Sequence, residues 1–142
     1  KSRFIGCVQT VRDRAEAVAV VDALRLAHPG AAHVCWALMA GGQSAANDDG
    51  EPSGTAGRPM LEVLRHQDLE GVLATVVRYF GGVKLGVGGL ISAYRTAAHM
   101  ALESATTIRK TIDDTIELKF DYTDMNKVMK MIKDFAKGGA IR

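Results

Sequence analysis

Cysteine is scarce in this chain: Cys7 and Cys35 are the only two among 142 residues, and both fall inside apolar stretches. A small secreted scaffold held by disulfides needs more of them at regular spacing, so a reducing cytosol is the expected setting. Long apolar runs are also missing. The longest, such as Val18–Val21 and Val72–Val77, fall far short of the roughly 20 residues that cross a bilayer. Lys1 is not followed by a signal-type apolar core, so a cytoplasmic protein with no membrane partner is expected. A strong charge of either sign is lacking as well. The net charge is +2, with ten basic and ten acidic residues up to Thr106 and eight and six after it. No like-charge block or basic tail argues for nucleic acid on charge alone. What remains is 47% hydrophobic and 24% charged, the profile of a globular protein.

The apolar pattern predicts a strand at Arg3–Thr10 and then a helix opened by Asp13 as N-cap, with Glu16 completing a capping box. Val18, Val21 and Leu24 form its apolar stripe, and His28-Pro29-Gly30 stops it. A second strand is expected at His33–Ala40, then a long polar loop over Gly41–Gly57. A short helix follows at Pro59–His66, a strand buried on both faces at Gly71–Phe80, and a helix at about Gly89–Glu103 with Leu90, Ala93, Tyr94, Ala97 and Leu102 near its packed side. Beyond Thr106 the character changes. A strand at Thr115–Tyr122, a helix capped by Thr123 or Asp124, and the opening of another strand at Ala140-Ile141-Arg142 read as an incomplete second unit. The expected division is therefore 1–106 and 107–142.

Two glycine-rich segments concentrate the chemistry. Arg78–Gly89 runs from a buried strand through five glycines into a helix start, flanked by Arg78 and Lys84. Glycines allow close backbone approach, and the first turn of a helix offers unpaired N–H groups to phosphate or carboxylate. The same features also suit a tight strand–helix connection, and both readings stand. Formal nucleotide motifs fail: Gly81 is followed at the Walker spacing by Gly86-Val87, and Gly86-x-Gly88 leads to Ile91 where a third glycine belongs. The second segment, Asp48–Pro59, carries Asp48, Asp49, Glu51, Ser53, Thr55 and Arg58. Centring a calcium loop on Gly50 puts Ala45 and Ala56 at positions that need oxygen ligands, so that match is rejected. Ser53 has no glycine two positions before it and no histidine close in sequence, a poor setting for a nucleophile. Magnesium held by Asp48 or Glu51 with a bound phosphate stays open, although no cofactor is expected; the alternative is a solvated loop shaped by its turn residues.

His33 and Cys35 share a strand face, with Cys7 as a third zinc-type residue, but no fourth ligand is evident and buried structural roles are favoured. Trp36 points to the opposite face and reads as core, and Tyr79-Phe80 reads either as packing or as rings for bases. His28, His66 and His99 have no meaningful spacing.

Lys1-Ser2-Arg3-Phe4-Ile5, then Asp48–Gly57 with Pro59, then Arg78–Gly86 with Gly88-Gly89-Leu90 and Ala93-Tyr94, resemble the YigZ/IMPACT family across nearly all of the first unit. The resemblance implies an α+β fold, a two-layer α/β sandwich of the ribosomal-protein-S5-domain-2-like type, followed by part of a ferredoxin-like domain. It implies a nucleic-acid- or ribosome-associated binding protein linked to translation regulation, with RNA, the ribosome or translation factors as partners, rather than an enzyme. Carried onto this sequence, it points to Asp48, Asp49, Glu51, Ser53, Thr55 and Arg58, and to Arg78, Gly81, Gly82, Lys84, Gly88 and Gly89, as ligand-binding positions. The alternative is an enzyme or sensor that holds a phosphorylated small molecule between the two loops, with Asp48 or Glu51 as base and Lys84 beside the developing charge.

Overall fold

The computed structural model describes residues 1–107 and 116–121. In chain order these form β1 (Arg3–Thr10), α1 (Arg14–Ala27), β2 (His33–Ala40), β3 (Gln43–Asn47), α2 (Gly57–His66), β4 (Val72–Tyr79), α3 (Gly86–Thr107) and β5 (Ile116–Asp121). The strands make one antiparallel sheet in the order β3-β2-β4-β1-β5. β4 lies at its centre, and its run of Val and Leu is buried on both faces as its composition demands.

Alternation along the strands sorts the core into two halves. Phe4, Val8, Cys35, Ala37, Val72, Ala74 and Val76 point to one face, where Met60 and Leu64 of α2 and Leu90, Tyr94 and Ala97 of α3 cover them. Ile5, Val34, Trp36, Leu38, Leu73 and Val77 point to the other, against Ala17 and Val21 of α1. The α+β class expected from the sequence is present. α2 and α3 form the helical layer of the expected sandwich, and α1 also covers part of the second face.

Asp13 caps α1 by accepting the Glu16 N–H at 2.9 Å, and Glu16 reaches back to accept from Arg12 N at 2.6 Å. The stripe of α1 is rotated from the expected one: Ala17, Val20, Val21 and Leu24 pack inward, while Val18 is exposed.

The polar loop expected over Gly41–Gly57 is corrected by the structure, because it contains β3. Gly41 and Gly42 have φ of 63° and 72°, and Ala40 pairs with Gln43 across them. Two left-handed residues in a two-residue connection are what a hairpin turn of the primed type requires. Gln-Ser-Ala-Ala-Asn lacks the apolar bulk that marks a strand because it lies at the sheet edge, mostly in solvent. Both helices that follow glycine-rich segments also begin earlier than expected, α2 at Gly57 and α3 at Gly86. The strand expected at Thr115–Tyr122 is β5, and it pairs along β1 from Arg3–Asp121 to Val8–Ile116, so it extends the sheet of the first unit. The expected helix after Asp124 and the strand at Ala140–Arg142 lie outside the described residues.

Candidate functional site

The Asp48–Pro59 segment is held by its own carboxylates. Asp48 accepts three backbone N–H groups, from Gly54 at 2.9 Å, Ala56 at 3.1 Å and Gly57 at 2.8 Å. Ala56, at the N-cap position of α2, has no side chain that can cap. Asp48 therefore supplies the cap from eight residues upstream, and the anion at the start of α2 belongs to the chain itself. Partial burial raises the Asp48 pKa, the N–H groups of Gly54, Gly57 and Ala56 lower it, and the net result is below the ordinary value.

Asp49 ties the segment to its neighbours. Its carboxylate accepts from Val34 N at 2.7 Å and from Arg25 Nη2 at 3.0 Å, and its carbonyl oxygen meets His33 Nδ1 at 2.7 Å. Because that partner is a carbonyl, Nδ1 carries the proton. Asp49 has φ of 43°, a left-handed conformation that Asp tolerates better than most side chains. Cys35 Sγ donates to the Asp48 carbonyl at 3.1 Å. Burial, with Glu51, Asp49 and Asp48 nearby, drives its thiol pKa strongly upward. His33 and Cys35, two of the side chains weighed as zinc ligands, thus brace this loop, and among the described residues no group of three or more His, Cys, Asp or Glu is placed to hold a metal ion. Thr55 Oγ1 closes a turn onto Pro52 O at 2.5 Å.

Glu51 joins this segment to the second one. Its carboxylate is almost wholly buried and takes Arg78 Nη1 at 2.7 Å and the Tyr94 hydroxyl at 2.5 Å, with His33 Nε2 at 3.5 Å. Sheet register explains the convergence, since Arg78 pairs with Phe4 on one side and His33 on the other. Arg78 also donates from Nη2 to Ser2 Oγ at 3.1 Å, and its guanidinium lies over the Phe4 and Phe80 rings at 5.5 and 5.4 Å. Its Nε is buried without a hydrogen-bond partner. The same Ser2 Oγ accepts from Gly81 N at 3.3 Å, and Lys1 N donates to Gly81 O at 2.7 Å. A Cβ on Gly81 would sit 1.6 Å from the Lys1 carbonyl carbon, so this glycine is required by the close approach of the two chain segments.

Residues 1–102 match the Impact N-terminal domain. The chain belongs to the IMPACT family. It is 39% identical over 137 residues to the IMPACT family member YvyE of Bacillus subtilis (strain 168), covering 94% of this chain and 63% of that protein. It is 39% identical over 137 residues to the IMPACT family member YigZ of Escherichia coli (strain K12), covering 93% and 67%. It thus spans a little under two thirds of the Bacillus relative's length. A crystal structure of a hypothetical protein superposes with a TM-score of 0.70 at 30% identity, covering 97% of this chain and 86% of that one.

In this IMPACT-family chain the two glycine-rich signatures meet through the Glu51–Arg78 pair. Asp48, Asp49, Glu51, Thr55, Arg78 and Gly81 all lie in one internal network. Their polar groups bond within the protein, so Arg78 directs its charge at Glu51 rather than at solvent. Ser53, Arg58, Gly82, Lys84 and Gly88 are exposed instead, and Gly89 is half-buried. Around Lys84 the turn also exposes large apolar groups: Phe80 is 55% exposed, Val83 68% and Val87 60%.

Sequence reasoning missed Ser2 and Tyr94 as members of the network, and for His33 it favoured a buried structural role over zinc without naming its partners. Tyr94 was visible as a packed-side residue of α3. Nothing local marked its hydroxyl as the partner of a carboxylate 43 positions upstream. Among the described residues no helix is long and apolar enough to cross a membrane.

Proposed function

We propose that this chain is a binding module that contacts RNA of the translation machinery through the β4–α3 turn. The observation that carries the reading is the pairing, on one short exposed turn, of Lys84 with the Phe80 ring, directly before the N-terminus of a 22-residue helix. An ammonium group and unpaired helix amides suit phosphate, and an exposed ring suits base stacking. The turn is anchored from behind: Arg78 packs under Phe80, and Ser2 and Lys1 bond Gly81. A preorganised platform loses little conformational freedom when it engages a partner. The resemblance of the sequence to a family tied to translational control points the same way.

The test is filter binding of structured RNA at low and moderate salt. Affinity should fall with rising salt, because phosphate neutralisation releases counterions. No binding at low salt, or binding unchanged by Lys84→Ala, overturns the reading.

A second reading keeps Lys84 and the α3 amides but gives them a phosphorylated small molecule, with magnesium as an optional bridge. Its support is the lack of surplus positive charge in the first 106 residues, since nucleic-acid binders usually display a basic face. Thermal-shift screening of nucleotides and sugar phosphates, with and without magnesium, separates the two. A micromolar ligand at millimolar concentration should stabilise by about 4 kcal/mol.

A further inference from the structure

On the helical layer, away from the glycine-rich turn, residues of α2 and α3 together line a cavity of about 370 Å³. That volume lies within the range of small-ligand sites. Val63 and Thr96, both buried, are among its lining residues. Four groups that can carry charge also line it: Glu62 and His66 from α2, and Arg95 and His99 from α3. His66 and His99 belong to opposite walls, and the two imidazoles influence each other electrostatically.

The state of His99 follows from its neighbours. Burial lowers its pKa, and His66 lowers it further by like-charge repulsion. Its other partner is Glu103 on its own helix, with Nε2 to Oε1 at 3.2 Å. Burial raises the Glu103 pKa, so both members of that pair are biased toward their uncharged forms. At neutral pH His99 is therefore a neutral, hydrogen-bonding imidazole in the wall of the cavity. Arg95 Nη2 meets Glu62 Oε1 across the helices at 3.4 Å, with both side chains about half exposed. Such a pair is weak, so a competing carboxylate can take the guanidinium from Glu62.

We propose that this cavity binds a small organic anion with a flat apolar body, of the aromatic carboxylate class. The apolar part fits beside Val63 and between the helices, and the carboxylate lies between His66 and His99 within reach of Arg95. An anion placed there offsets the burial and the like-charge repulsion that lower the His99 pKa. Binding is accordingly linked to proton uptake, and by reciprocity the affinity rises as pH falls. The proposal is independent of the RNA reading, because no residue of the β4–α3 turn lines the cavity.

The experiment uses the full chain with benzoate as the probe and benzyl alcohol as its uncharged counterpart, followed by NMR of the histidine ring resonances. Benzoate should shift the His66 and His99 signals and bind roughly three- to tenfold more tightly at about pH 5.5 than at about pH 8. Benzyl alcohol should bind much more weakly at both. Replacing both histidines, His66→Gln together with His99→Gln, should abolish the pH dependence, and Arg95→Gln should weaken benzoate binding; all three positions line the cavity from folded helices, and circular dichroism checks the fold. Failure of benzoate to move either histidine at about pH 5.5, or equal affinity for the two probes, overturns the proposal. So does binding that keeps its pH dependence in the correctly folded variant that carries both His66→Gln and His99→Gln.

Discussion

Arg78 of β4 and Glu51 of the β3–α2 loop meet at 2.7 Å with both side chains almost fully withdrawn from solvent, and Tyr94 donates to the same carboxylate oxygen. Breaking a buried ion pair from one side leaves the other charge without compensation, at a typical cost of about 3–5 kcal/mol. Glu51→Ala and Arg78→Ala should each destabilise by that amount in urea denaturation. The double variant should lose less than the sum of the two, since it leaves no orphaned charge. Additive losses would mean that the pair is not coupled.

Asp48 gives a pH-dependent contribution whose sign is fixed by its lowered pKa. A carboxylate with a depressed native pKa adds stability that is fully present above its ordinary value of 3.8 and is lost as pH falls through the native value. In that window the unfolded chain binds more protons than the native one, so stability rises with pH. Asp48→Asn should therefore flatten the acid limb of the stability–pH curve below about pH 4. Asp48→Ala, which removes the remote cap of α2, should cost about 1–2 kcal/mol at neutral pH. Equilibrium urea titrations from acid to neutral pH measure both effects.

How much of this was legible in the sequence depends on range. β1 and β2 have the expected bounds, since alternating or continuous apolar runs report their own burial. The Asp13–Glu16 cap was also visible, because its partners are three positions apart. β3 was not, as an edge strand of small polar residues carries little hydrophobic signal and only the Gly41-Gly42 pair announced the hairpin. The two glycine-rich segments stood out by composition, yet their contents were misleading in one respect. Acidic and basic side chains in a loop look like ligand groups, and here Asp48, Asp49, Glu51 and Arg78 bond mainly to one another and to backbone. Those partners lie up to 76 positions apart, as with Ser2 and Arg78, and no local pattern specifies them.

Gly81 and Gly88 belong to the same glycine-rich turn but should respond oppositely to alanine. A Cβ at Gly81 collides with the Lys1 backbone, which cannot swing aside as a flexible side chain would. Gly81→Ala should cost about 1–3 kcal/mol or more and detach the start of β1. Gly88 is in the first turn of α3 with nothing within 4 Å of an added Cβ. Gly88→Ala should raise stability by up to about 1 kcal/mol through helix propensity. If a ligand approaches the α3 backbone closely, the same substitution should weaken its binding. Thermal denaturation of the two variants, with an RNA titration of Gly88→Ala, checks these opposed signs.

Lys84 and Phe80 separate the two components of the proposed RNA contact. An ammonium group that neutralises one phosphate sets part of the salt slope, so Lys84→Ala should weaken binding across all RNA sequences and lower the slope of log K against log salt by about one. An aromatic ring acts through stacking, which releases no counterion. Phe80→Ala should therefore weaken binding by about 1–3 kcal/mol while leaving the slope unchanged. Because Phe80 also packs on Arg78, the denaturation midpoint of Phe80→Ala must be measured alongside. A salt slope that changes with Phe80 but not with Lys84 would place the phosphate contact elsewhere on the molecule.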